Sequence, residues 1–270
     1  MVNAQQLRKQ AHWLNQIRLW FKKNDFLEVL TPIRVPSPAL EETLHAFRSE
    51  EAFLQTSPEF AMKRIIALGL CRIYQIAPSF RKEEVGHHHS SEFRMLEWYA
   101  VGQPLENLQE DLLSLLEYIC QKPLPAVQRI NASKVLNPNL PPDEWFFKWV
   151  DEIEPQMTGI TLVEHYPSWQ AALAKKMGPY AERFELYWNG IELANAFHEE
   201  CSAEEIRQRW VKGNNYRIQN SLPPHPIDEQ FLNAVSALPR TSGIALGLDR
   251  LFMILSDLEH IANTQITYKK

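Results

Sequence analysis

Hydrophobic residues recur at helical spacing over residues 4–23: Leu7, Ala11, Leu14, Ile17 and Phe21 share one face, with Arg8, Arg18 and Lys22 elsewhere on the surface. This predicts an amphipathic helix. Residues 26–32, FLEVLTP, then read as a short strand closed by Pro32. A short helix is expected over residues 62–70, after Pro58. Further on, one apolar run (Ile73, Tyr74, Ile76) leads into Phe80 and Arg81, and another (Phe93, Met95, Leu96, Trp98, Tyr99) leads out. Charges, a Gly and three His lie between them, so the segment reads as strand, polar loop, strand.

Leu108, Leu112, Leu115 and Leu116 mark a helix over residues 105–119. Pro123, Pro125, Pro138, Pro141 and Pro142 then predict an irregular connection or insertion around residues 121–158, with a Trp/Phe-rich helix from Trp145 to Val150. Asn189-Gly190 is a strong type I′ hairpin signal. A two-residue turn there pairs Trp188 with Ile191 and Glu185 with Ala194. It places Glu192 on the face of Ala194, diagonal to Glu185, so two carboxylates come within reach of each other. Ser202 to Glu205 has a capping-box pattern opening a helix. A last helix is expected from about Asp249 to Leu258.

Composition narrows the field. Hydrophobic residues make up 45% of the 270 and charged residues 23%, which suits a folded core. The net charge of −5 argues mildly against holding a nucleic acid by its backbone. Cys71, Cys120 and Cys201 are far apart and show no zinc spacing, so reduced thiols in a cytoplasmic protein are expected. The N-terminus shows no signal-peptide pattern, and no apolar run reaches membrane-span length. His87, His88 and His89 are adjacent, so their side chains diverge, and they read as a polar loop rather than a metal site.

Four blocks in order carry a resemblance. Residues 80–99, FRKEEVGHHHSSEFRMLEWY, resemble motif 2 of the class II aminoacyl-tRNA synthetases, the lysyl enzymes most of all. Residues 241–255, TSGIALGLDRLFMIL, resemble motif 3. Residues 182–199 resemble the strand pair carrying metal and amino-acid ligands, and residues 56–63, TSPEFAMK, the segment receiving the substrate amino group. The string GIALG, EEVG after Arg81-Lys82, and Trp98-Tyr99 match the short relatives that attach (R)-β-lysine to a lysine of elongation factor P.

The resemblance implies an α/β fold of the α+β type: an antiparallel sheet flanked by helices, in a single catalytic domain over residues 1–270. It implies activation of a lysine isomer by ATP with Mg²⁺, release of pyrophosphate, and transfer to the side chain of a lysine on elongation factor P. Arg81 is matched to the α-phosphate, Glu83 to the adenine amino group, His89 to the terminal phosphates, and Phe93 to stacking under adenine. Arg250 and Gly247 belong to the nucleotide's other side. Glu185 and Glu192 are matched to metal. Ser57, Glu59, Glu97, Tyr99, Asn195, Glu199 and Ala245 are matched to the amino acid. The helix and strand of residues 4–32 resemble motif 1, which implies a homodimer.

The sequence also departs from its relatives. It begins almost at motif 1, leaving no room for an anticodon-binding barrel, and Ala245 stands where lysyl-tRNA synthetases carry Gly. Ser90-Ser91 replaces the usual Asn-Pro, and the chain is short between residues 119 and 160. Rival readings are a truncated lysyl-tRNA synthetase, an activating enzyme with another acceptor, and a non-catalytic binding paralogue.

Overall fold

The structure, a computed structural model, describes residues 2–266; Met1 and residues 267–270, at the ends of the expected domain, lie outside it. The first helix, α1, is Ala4–Lys23. Asn3 caps it by accepting from the Gln6 amide, while the Gln6 side chain accepts from the Asn3 amide. Strand β1 is Leu27–Glu28 and helix α2 is Glu59–Ala67. The strands β2 (Arg72–Phe80) and β3 (Glu92–Val101) flank the polar loop, and helix α3 (Leu105–Cys120) follows.

The Pro-rich stretch expected to be irregular holds strand β4, Val127–Asn131, and helix α4, Pro142–Lys148. A π-helical turn, Trp149–Ile153, extends α4. Next come β5 (Ile160–Glu164), β6 (Arg183–Trp188) and β7 (Ile191–His198). Helices α5 (Ala203–Gln219) and α6 (Glu229–Val235), strand β8 (Thr241–Gly247) and helix α7 (Leu248–Leu255) complete the order.

The main sheet runs β1-β2-β3-β8-β7-β6-β5-β4. Its inner strands are antiparallel, as expected. Both outermost pairs, β1 with β2 and β4 with β5, are parallel, so the sheet is mixed. Side chains alternate across it. One face carries Tyr74, Leu96, Trp98, Phe184, Leu186, Ala196, Ile244 and Leu246, packed under α1, α3 and α7. Phe21 of α1 stacks on Tyr74 with centroids 4.2 Å apart, and Trp98 is fully buried. Each such side chain contributes roughly 1.5–3 kcal/mol by leaving water. The other face is open at its centre and bordered by α2, α5 and α6, whose own core includes Phe60, Trp210 and Phe231.

The β6–β7 turn forms as the Asn-Gly pair predicts: Asn189 and Gly190 have φ of 50° and 75°, and Trp188 faces Ile191. Beyond it the expected register is corrected. Tyr187 faces Glu192 but Leu186 faces Ala194, so Leu193 is an extra residue in β7, a β-bulge. Glu185 therefore stands opposite Asn195, not Ala194. The bulge puts Leu193 and Ala194 into the core while Glu192 and Asn195 line the open face.

Candidate active site

The register of the sheet writes the site in rows. One row across the open face reads Glu97, Ala245, Asn195, Glu185 on β3, β8, β7 and β6. The next reads Tyr99, Gly243, Phe197, Arg183. Both rows line a cleft of about 440 Å³, joined by Ser57 and Glu59 at the start of α2, Glu199 just past β7, and Arg81, His89 and Phe93 around the β2–β3 loop. Gly247, Glu192 and Arg250 close the far side. A cavity of this size suits small molecules.

One half of the cleft is acidic. Glu97 is 1% exposed and accepts from the Ser57 hydroxyl and, at 3.1 Å, from the Tyr99 hydroxyl. Burial, then the nearby Glu59, push its pKa up to about 8. Glu199 is equally buried, and burial raises it to about 7 against the pull of Lys63. Lys63, on α2, lies 2.6 Å from Glu59 and 2.5 Å from Glu199. The Asn195 Oδ1 is buried without a hydrogen-bond partner among the described residues. Buried carboxylates and an orphaned acceptor call for a donor-rich, cationic occupant.

The other half is cationic. The Arg81 guanidinium carbon lies 5.4 Å from the Phe93 ring centre, and Arg81 donates to the Thr56 carbonyl at 3.3 Å. Arg250 donates to the Glu192 carbonyl at 2.8 Å and to the His88 carbonyl at 3.1 Å. His89 Nε2 lies 2.8 Å from Arg250, and burial together with Arg250 lowers its pKa, so His89 is neutral and accepts at Nε2. Asp249, 1% exposed, ties α7 to β3 by accepting from the Arg94 amide at 2.6 Å and from its guanidinium. This lock fixes Arg250, the next residue, against the β2–β3 loop.

Glu185 is held by Arg183, Tyr166 and, at 2.8 Å, Tyr187. Glu192 keeps a looser approach to Arg250 at 3.7 Å. These hard oxygen donors on one cleft wall fit Mg²⁺. Among the described residues no group of three or more His, Cys, Asp or Glu is arranged for a metal, so a cation held here would need further ligands from phosphate and water.

Of the residues singled out by sequence, only Glu83 lies away from the cleft. At φ 71° its side chain turns outward, 61% exposed, and pairs with His45 at 3.0 Å; its neighbour Glu84 lines the cleft and faces Arg81 at 3.5 Å. Sequence reasoning missed Arg183, two positions before Glu185 on the same strand face, which alternation could have found. It missed Glu154, whose carboxylate accepts from Tyr187 at 3.3 Å and whose pKa is raised to about 7 by burial and Glu192. It also missed Lys63 and Gly243. A Cβ on Gly243 would collide with the Tyr99 ring and with Glu199, so only glycine lets these two side chains lie together over β8.

A sheet whose open face carries an arginine-lined pocket beside an acidic one places the chain in a class: it belongs to the family of class II tRNA synthetases (D, K and N), which matches residues 2–267. Among curated relatives, it is 35% identical, over an alignment 305 positions long, to the elongation factor P–(R)-β-lysine ligase of Vibrio atlanticus (strain LGP32), covering 96% of this chain and 94% of the relative. The ligases of the same name from Haemophilus influenzae (strain PittGG) and Erwinia tasmaniensis are 37% and 34% identical. Those alignments cover 96% and 95% of this chain, and 94% and 93% of the relatives.

Proposed function

We propose that the chain is an ATP-dependent ligase that activates (R)-β-lysine as an adenylate and transfers it to a lysine side chain of elongation factor P. The observation that carries this is the acidic pocket of Glu59, Glu97 and Glu199 lining the same cleft as Arg81 and Arg250, with Glu97, Ala245 and Asn195 in one row of its floor. One end accepts a substrate with two ammonium groups; the other neutralises a polyphosphate.

In the first step a substrate carboxylate oxygen attacks the α-phosphorus of ATP. The bond from that phosphorus to the bridging oxygen breaks, and pyrophosphate leaves. Arg81 stabilises the crowded charge at the α-phosphate, and Phe93 stacks beneath adenine. Arg250 and the neutral His89 hold the terminal phosphates. Glu185 and Glu192 would hold Mg²⁺, which when bound would offset phosphate charge. Glu59, Glu97, Glu199, Tyr99, Asn195 and Ser57 orient the amino acid so that its carboxylate points at phosphorus. In the second step the acceptor lysine's uncharged ε-amino nitrogen attacks the carbonyl carbon. The carbon–oxygen bond to phosphate breaks, AMP leaves, and the nitrogen gives up one proton as the amide forms.

The cleft face of β8 sets the isomer. Ala245 sits between Glu97 and Asn195, and its methyl favours a shifted amino group at the cost of α-lysine. The whole chain, residues 1–270, works as one catalytic domain, as a homodimer, in the cytoplasm. No helix of the described residues is long and apolar enough to cross a membrane. ATP–pyrophosphate exchange with (R)-β-lysine, α-lysine and other amino acids tests the reading. Exchange strongest with (R)-β-lysine, followed by labelling of elongation factor P, is expected; exchange with no lysine isomer overturns it.

A further inference from the structure

Lys63 stands behind the acidic pocket rather than in it. Its side chain is 1% exposed and does not line the cleft, while the carboxylates on either side of it, Glu59 and Glu199, both do. The contacts are 2.6 Å and 2.5 Å, to one oxygen of each acid. Helix geometry supplies the first, since Glu59 and Lys63 are one turn apart on α2. The second crosses to the chain after β7, so one ammonium ties two elements of the pocket together. The other ionisable groups facing this cluster are Glu97 and Tyr99 from β3 and the Cys201 thiol beyond Glu199.

A buried lysine is costly unless paired. Burial alone would discharge Lys63, but Glu199 and Glu59 outweigh it and lift its pKa, so it stays charged. Carboxylates so close together compete to keep a proton, and Lys63 draws them toward ionisation, although burial still holds Glu97 up at about 8. With Lys63 present the fully ionised group of Glu59, Glu97, Glu199 and Lys63 carries a charge of −2. A diamino acid brings two ammonium groups to the same place.

Resting on the proposed function, we propose that Lys63 is a positioning and specificity residue: from behind the pocket it fixes Glu59 and Glu199 and matches the pocket's charge to a diammonium substrate. It touches neither substrate nor nucleotide. Its loss therefore acts through the acids, on recognition of the amino acid and not of ATP.

The test compares wild type, Lys63→Met, Lys63→Gln and the charge-restoring double variant Lys63→Met/Glu59→Gln. The readouts are pyrophosphate exchange from about pH 6 to about pH 9 and a melting curve for each variant. In Lys63→Met and Lys63→Gln, KM for (R)-β-lysine rises at least about tenfold while KM for ATP holds within about twofold. The pH above which KM levels off moves up by about one unit or more, because the acids lose the cation that helps them ionise. The double variant keeps a raised KM but returns that pH toward wild type, which a packing role would not produce. A folded Lys63 variant with unchanged KM and pH profile, or with both KM values raised alike, overturns the proposal and leaves the proposed function standing. Wild type inert toward every diamino acid overturns both. If both single variants fail to fold, the double variant decides: a wild-type pH profile supports the charge match, and an upward-shifted one overturns it.

Discussion

The Tyr99 ring lies across Gly243, close enough that no side chain fits between them. The two residues are register partners on β3 and β8, and Glu199 approaches the same point. The backbone of β8 is thus the floor on which the acidic pocket rests.

Gly243→Ala is therefore expected to displace Tyr99 and Glu199 together. Overpacking of this kind costs about 1–3 kcal/mol, and here it falls on residues proposed to contact the substrate. The variant should lose about tenfold to a hundredfold in kcat/KM for (R)-β-lysine with KM for ATP little changed. Exchange kinetics with each substrate varied in turn measure this, and a wild-type kcat/KM would show that the floor has room to spare.

Much of this floor was legible beforehand, because alternation in strands and the Asn-Gly turn are local signals. The β2–β3 strand pair and the β6–β7 hairpin followed from them, while the antiparallel sheet, Glu97 of β3 and the position of Ala245 came through the resemblance to the class II synthetases. The register of Glu185 did not, since the bulge at Leu193 arises from burying both Leu193 and Ala194 under α3, a tertiary demand. Strand β4 holds no proline itself but was hidden by Pro123, Pro125 and Pro138 on either side of it; it is an edge strand, with only one side to pair. Glu83 and Glu84 are adjacent in a polar loop, where a positive φ decides which one faces the cleft. Lys63 falls within residues 56–63, but nothing in the local pattern marks it as buried. Only the arrival of Glu199 from more than a hundred residues away makes it a buried cation.

Ala245→Gly should widen the pocket between Glu97 and Asn195. A methyl-sized change is worth roughly 1–3 kcal/mol, so the preference for (R)-β-lysine over α-lysine should fall by about tenfold or more, chiefly by improved use of α-lysine. The ratio of kcat/KM for the isomers, measured side by side, checks this. An unchanged ratio would place isomer choice elsewhere, with the acids.

The Arg94–Asp249 lock makes a stability prediction. Asp249 is 1% exposed and receives both the amide and the guanidinium of Arg94. Asp249→Ala leaves that guanidinium uncompensated and frees the start of α7. Breaking such a pair costs about 3–5 kcal/mol, and Arg94 is 30% exposed, so the lower end applies. Denaturant unfolding should show that loss, and KM for ATP should rise because Arg250 is the next residue. Unfolding at the wild-type midpoint would mean that core packing alone holds α7 in place.

The buried acids predict a pH dependence with a definite sign. Burial raises Glu97 from 4.5 to about 8 and Glu199 from 4.5 to about 7. A carboxyl whose folded pKa lies above its unfolded value binds its proton more tightly when folded. Its contribution to stability is fully present below about 4.5, then falls as pH rises through about 7 and about 8. The melting temperature of the ligand-free protein should therefore drop across that window. Ammonium groups favour the ionised acids, so (R)-β-lysine should bind more tightly as the same protons leave, until its own amines begin to discharge. Its stabilising effect should thus grow from about pH 6 to about pH 8. Thermal melts with and without the amino acid, at several pH values, read both trends. A ligand effect that weakened over this range would mean that the pocket is already ionised at pH 6, with the substrate's charge matched by groups other than Glu97 and Glu199.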